Sequence, residues 1–242
     1  MNLKRDMNDR EKYFFENIVI KKEDIHRAKQ AIYSKGIEKH IIILDMLKAW
    51  GMGEKIPYEY IASFYRYDKR LRKVLFVYIS YLEEYYRSLI LDKYRFDWSE
   101  LKLDSQLKQV LSTYHDLDKA LERVEFSHLI NQVYKIRTEI NDMLVFPNHT
   151  HLRKNIAALV ELRNSVMHNR LLLLYRGFEE CYVSNDNLKS TTLKDNIKNL
   201  INFLPENTKE KCKSEINNCL IERDNENKTE WILPDSILIR IE

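Results

Sequence analysis

Leu71, Val74, Leu75, Tyr78, Leu82, Tyr85 and Leu89 recur at spacings of three and four, one apolar face sustained over about five turns of helix. Little elsewhere in the chain would interrupt such helices. The 242 residues contain only 4 Gly and 4 Pro, with abundant Leu, Ile, Lys, Glu and Tyr, which favours long helices over a sandwich or a doubly wound sheet. The expected fold class is all-α, a helical bundle with extra helices and a small C-terminal appendage that could contain a short β-hairpin.

Residues 1 to about 20 read as a short helical start. Residues 23–50 read as helix with Gly36 as a break, followed by a loop over "GMGEKIP". After the long helix, "RFDWSELKLDS" offers Asp97 or Ser99 as a cap, and helical stretches run from about Gln106 to Leu144 with an interruption near Ser127. "FPNHT" ends that section, because the residue before proline resists helical geometry, and Asn148 or Thr150 can cap the next helix. Beyond Gly177 the chain turns rich in Asn, Ser, Thr and Lys, with short helices expected around 190–204 and 208–222. The end, "EWILPDSILIRIE", could form a short strand or hairpin or serve as a partner-binding tail. The expected division is a helical domain over 1–178, its core about 40–175, and an extension over 179–242 packed on it.

The formal net charge is only +3, so affinity for nucleic acid must come from local clustering of Lys and Arg. Cys181, Cys212 and Cys219 are odd in number, lack metal-ligand spacing and read as reduced thiols. The charged N-terminus and the lack of any long apolar run imply a soluble, cytoplasmic chain with no membrane partner. No metal or other cofactor is expected. "HTH" at 149–151 lacks a carboxylate or cysteine at matching local spacing.

"ELRNSVMHNR", residues 161–170, carries the anomaly. Placed about 100° apart on a helix, Ile156, Leu159, Val160, Leu162, Val166 and Met167 form an arc of roughly 160°, and Arg163 projects from inside it. Arg170, two turns on, falls about 20° from Arg163 on the same stripe, and Asn164 and His168 are i,i+4 neighbours at the edge of the arc. A guanidinium among apolar neighbours needs an anion, whether a carboxylate of the fold or a phosphate. Arginine binds phosphate oxygens in a planar fork, and histidine can move a proton near pH 7. The bare spacing is weak, because Arg123 and His128 repeat it where a solvated Arg and a partly buried His suffice.

"RNSVMH" resembles the Arg-Asn-x3-His signature of the HEPN superfamily, helical domains many of which are ribonucleases. "YRYDKRLRKVLFVYISYLEEYYRSLI", residues 65–90, is similar to the long helix of Abi-like abortive-infection proteins of the AbiD and AbiF type. Asp68, Leu71, Arg72, Ile79, Glu83 and Arg87 match that pattern, and Ser80 stands where a glutamate is usual. "LRNSVMHNRLLL" parallels the family's ending, with Met167 and Asn169 departing from the usual residues beside the histidine. The resemblance covers about residues 40–175. It implies a HEPN-like bundle that dimerises across a composite cleft, and metal-independent RNA cleavage leaving a 2′,3′-cyclic phosphate and a 5′-hydroxyl. It also implies a toxin-like role in phage defence, which an antitoxin RNA or protein could restrain.

On this expectation His168 moves the proton of the 2′-hydroxyl or of the leaving 5′-oxygen, Arg163 stabilises the phosphorane, Asn164 orients either partner, and Arg170 assists binding. Glu83 and Arg87 are either a plain i,i+4 ion pair or a support for Arg163. Arg66, Lys69, Arg70, Arg72 and Lys73, interleaved with Tyr65 and Tyr67, are candidates for RNA contact or simply a solvated helix start. Two alternatives stand beside the enzyme: a catalytically silent module that binds RNA or protein, and a structural helical dimer in which a carboxylate such as Glu83 satisfies Arg163.

Overall fold

A computed structural model describes residues 8–98, 102–140, 150–183, 188–223 and 228–242. The protein is mostly α-helical, and the chain divides into two compact units. Unit 1 comprises Met1–Arg70 with Leu220–Leu238, and unit 2 comprises Leu71–Cys219 with Ile239–Glu242. This division does not follow the one read from sequence at residue 178, which falls inside a β-strand, Arg176–Tyr182.

In unit 1, α1 (Asp9–Glu16) opens with a capping box. Asn8 Oδ1 accepts from Glu11 N–H at 2.8 Å while Glu11 Oε2 accepts from Asn8 N–H at 3.0 Å. Strand β1 (Ile18–Val19) pairs in parallel with β2 (Ile56–Pro57), so the end of the expected loop is a strand. Helices α2 (Ile25–Lys35) and α3 (Ile37–Ala49) are separated at Gly36, whose φ of 89° suits a residue without Cβ. The first turns of α4 (Tyr58–Tyr94) and an antiparallel hairpin, β5 (Ile221–Arg223) with β6 (Lys228–Glu230), complete the unit. Phe14, Ile32, Leu44, Leu47, Ile61 and Phe64 are fully buried.

In unit 2 the rest of α4 lies in a core with α5 (Ser105–Tyr114), α6 (Leu117–Arg123), α7 (Phe126–Ile136), α8 (Leu152–Met167), α9 (Leu193–Phe203) and α10 (Glu206–Asn217). The apolar face of α4 is as its periodicity requires, with Leu71, Leu75 and Leu82 fully buried, although Ile79 and Tyr86 are buried where Val74 and Tyr85 are only half so. Capping differs from expectation. Asp104 caps α5 through Gln106 N–H and Asp116 caps α6; the stretch that Asp97 or Ser99 would cap, residues 99–101, lies outside the described residues. The stretch from 106 breaks at His115–Asp116 and at Val124–Glu125, so Ser127 sits inside α7. Leu144 and Asn148 are outside the described residues, and α8 starts after His151 without a side-chain cap, so Thr150 does not cap it.

A second antiparallel hairpin, β3 (Arg176–Tyr182) with β4 (Lys189–Thr192), packs on α8 and α9. Past Glu230, which ends β6, the C-terminal segment is not the strand or hairpin its alternation suggests. Pro234 introduces a short 3-10 turn over Asp235–Ile237, and the buried positions are Trp231 and then Leu233, Ile237 and Ile241, these three spaced four apart. Within unit 2, Asn217 ties Ile241 by accepting from its N–H at 2.9 Å and donating to its carbonyl at 2.7 Å. No helix among the described residues is long and apolar enough to cross a membrane.

Candidate functional site

The buried side of α8 explains where Arg163 lies. Asn155, Ile156, Ala158, Leu159, Leu162, Ser165 and Val166 are buried, whereas Val160 and Met167 are only half so. The buried face is therefore rotated away from the arc read from sequence, and Arg163 stands at its margin, about 80° from its centre. Strand β3 causes the rotation. Asn155 Nδ2 donates to the Tyr182 carbonyl at 2.8 Å, Tyr182 N–H donates back to Asn155 Oδ1 at 2.7 Å, and Asn199 Nδ2 donates to the Asn155 carbonyl at 2.8 Å. On the same helix the Glu161 carboxylate accepts from the N–H groups of Phe178 and Glu179, at 3.0 and 2.9 Å. Gly177 admits that approach, since a Cβ there would meet Tyr175 Oη at 3.0 Å and Glu161 Oε2 at 3.3 Å.

At the margin, Arg163 Nε donates to Glu83 Oε1 at 2.9 Å and Nη1 donates to Asn164 Oδ1 at 3.3 Å. Its guanidinium carbon lies 5.8 Å from the ring centre of Phe126. Glu83 Oε2 faces Arg87 Nη2 at 3.5 Å, and Arg87 Nε donates to the Leu121 carbonyl at 3.1 Å. Glu83 thus touches both arginines, and the i,i+4 pair and the support for Arg163 coexist. The side chain of Arg163 keeps 25% of its surface exposed and that of Glu83 12%, so the guanidinium is paired without being sealed. Two permanent positive charges share one carboxylate, and the Nη2 group of Arg163 makes no hydrogen bond among the described residues.

His168 is exposed and ends α8. Its N–H donates to the Asn164 carbonyl at 3.0 Å, one turn back, so backbone geometry fixes its place relative to Asn164. Asn169 follows in the left-handed conformation, φ 53°, and Arg170 N–H returns to the Ser165 carbonyl at 3.1 Å, the bond pattern that closes a helix on a left-handed residue. The helix therefore stops before Arg170. Its exposed side chain does not share a helical stripe with Arg163, and its carbonyl accepts from buried Arg72 Nη1 at 3.1 Å.

The basic run separates by role. In unit 1, Arg66 pairs with Glu222 at 2.6 Å, Arg70 Nη1 donates to the Ile221 carbonyl, and Lys69 is exposed. In unit 2, Arg72 is buried and Lys73 is exposed. The Arg-x4-His repeat at 123 and 128 has other partners. Arg123 lies over the Tyr114 ring at 5.6 Å and His128 Nδ1 is 2.7 Å from Asp104 Oδ1. Of the "HTH" triplet, His149 is outside the described residues and His151 stacks on Tyr182 at 3.9 Å. Among the described residues no group of three or more His, Cys, Asp or Glu could hold a metal ion.

Sequence reasoning missed Phe126 and the hairpin carrying Tyr182. The available signal was the Asn-Asp-Asn cluster at 185–187 between runs containing Cys181, Tyr182, Thr191 and Thr192. No protein-family model, curated protein or solved structure matches the chain.

Proposed function

We propose that the protein is a metal-independent endoribonuclease of the HEPN, Abi-like type, acting as a homodimer in bacterial phage defence. Arg163, Asn164 and His168 carry the reaction, Glu83 and Arg87 position Arg163, and Arg170 contacts the RNA backbone. The observation that carries this reading is the charge imbalance at Glu83: one carboxylate serves two guanidiniums, and Arg163 keeps a donor edge and a quarter of its surface open. A phosphodiester supplies the missing negative charge through a planar N–H fork. His168, one turn from Asn164 and open to solvent, then transfers the proton of the 2′-hydroxyl or of the 5′-oxygen leaving group. One histidine per chain fills one of these roles, and a second copy of the chain fills the other.

The test is incubation of the purified chain with RNA, reading for 2′,3′-cyclic phosphate and 5′-hydroxyl ends, alongside growth assays on expression. Wild type yields both products and arrests growth, while Arg163→Ala and His168→Ala, equally helical by circular dichroism, do neither. Equal behaviour of all three overturns the proposal.

A second reading draws on the 2.9 Å contact itself: Glu83 satisfies Arg163 within one chain, and the module binds RNA or protein without cutting. RNA binding without cyclic-phosphate products would favour it.

A further inference from the structure

Unit 1 contains a cavity of about 750 Å3 that is independent of the Arg163 site and of the function proposed for it. Helix α2, the opening turns of α4 and the segment at Trp231 wall it. Ala28, Ala31 and Ala62 leave it room, and Tyr58 and Trp231 give it aromatic surface. The Trp231 indole is itself set by an edge contact with the Tyr67 ring, centroids 5.4 Å apart.

Charge on the walls is unbalanced. Lys21, Arg27, Lys35, Arg66 and Arg70 line the cavity against Asp24, Glu59 and Glu222. Two of those carboxylates are engaged, Glu59 with Lys21 at 3.2 Å and Glu222 with Arg66 at 2.6 Å. Arg27 and Lys35 make no ion pair among the described residues. The Lys35 ammonium sits 4.9 Å from the ring centre of Tyr65. Partial burial, and then the like charges of Lys69, Arg66 and Arg27, hold its pKa below the ordinary lysine value. Five cations face three carboxylates on these walls, and an incoming anion relieves the repulsion of the excess. The cavity falls in the size range of small-molecule sites and exceeds what a lone inorganic anion fills, and its aromatic walls suit a flat ring.

We propose that this cavity binds a nucleoside phosphate, with Arg27 and Lys35 holding the phosphate, Arg66 beside them, and the base lying between the alanines and the aromatic side chains Tyr58 and Trp231.

Calorimetric titration of the full chain with AMP, GMP, adenosine and inorganic phosphate tests this, with Trp231 fluorescence as a second readout and Trp231→Phe as its control. The nucleotides bind, and adenosine and inorganic phosphate each bind at least about tenfold more weakly, because each keeps only part of the contacts. Arg27→Ala and Lys35→Ala, at exposed positions, each weaken AMP binding by about tenfold and leave thermal unfolding unchanged. Failure of any nucleotide to bind at millimolar concentration overturns the proposal. So does a double variant that binds AMP as tightly as wild type, or inorganic phosphate binding as tightly as AMP.

Discussion

The Glu83 carboxylate connects α4 to α8 by accepting from Arg163 Nε at 2.9 Å while its other oxygen faces Arg87. Glu83→Gln keeps the shape and removes the charge, leaving two half-buried guanidiniums facing an amide. The expected loss of stability is about 1–3 kcal/mol, measured by denaturant unfolding. If Arg163 acts on RNA, the same variant lowers the cleavage rate measured on the fraction that remains folded.

His168 is exposed and contributes only backbone bonds to the end of α8. His168→Ala therefore shifts stability by no more than about 0.5 kcal/mol. Its loss of cleavage, expected at about 10²–10⁴-fold, is then a chemical effect. A stability loss several times larger would show instead that the side chain holds the fold.

Asn169 adopts φ 53° directly after that histidine. Asn169→Ala is expected to cost about 1 kcal/mol, because Cβ disfavours the left-handed conformation. Asn169→Gly accepts the same backbone without that strain. Thermal unfolding ranks the three proteins, and cleavage by the glycine variant stays close to wild type if the asparagine serves only to end the helix.

His40 gives unit 1 a pH dependence. Its ring is buried, stacks near Tyr58 and Tyr65, and makes a 2.9 Å hydrogen bond between Nδ1 and the Gly36 carbonyl. Burial holds its pKa below the ordinary 6.5, outweighing that bond. Between 6.5 and the folded value the unfolded chain takes up a proton that the folded chain refuses. Stability is thus full above pH 6.5 and declines as the pH falls through that window. Unfolding midpoints measured from pH 7 to 5 should fall more steeply for wild type than for His40→Gln.

The helical class, the long helix through Leu71 and Leu82, the break at Gly36 and the two late helices were legible because periodicity and breakers are local signals. The face of α8 was not, because it is decided by a hairpin far along the chain: Tyr182 bonds Asn155, and this turns Ala158 and Ser165 inward. The same blindness put Arg170 on a helical stripe. Asn169 ends the helix, and asparagine is a weaker stop signal than the glycine usually found there. Glu83 was legible as a partner of Arg87 and as a candidate support for Arg163, but that it serves both at once is decided by tertiary structure, as is the meeting of α2 cations with Arg66 in unit 1.

All three cysteines of the chain belong to unit 2, and all are buried. Burial pushes the Cys181 thiol up to about 11 and Cys212 up to about 12, so near neutrality both stay protonated and slow to react. Alkylation of the native protein must then wait for unit 2 to open. A maleimide or iodoacetamide time course becomes a clock for that half of the molecule alone, blind to breathing in the half that holds His40, with no label engineered into the chain.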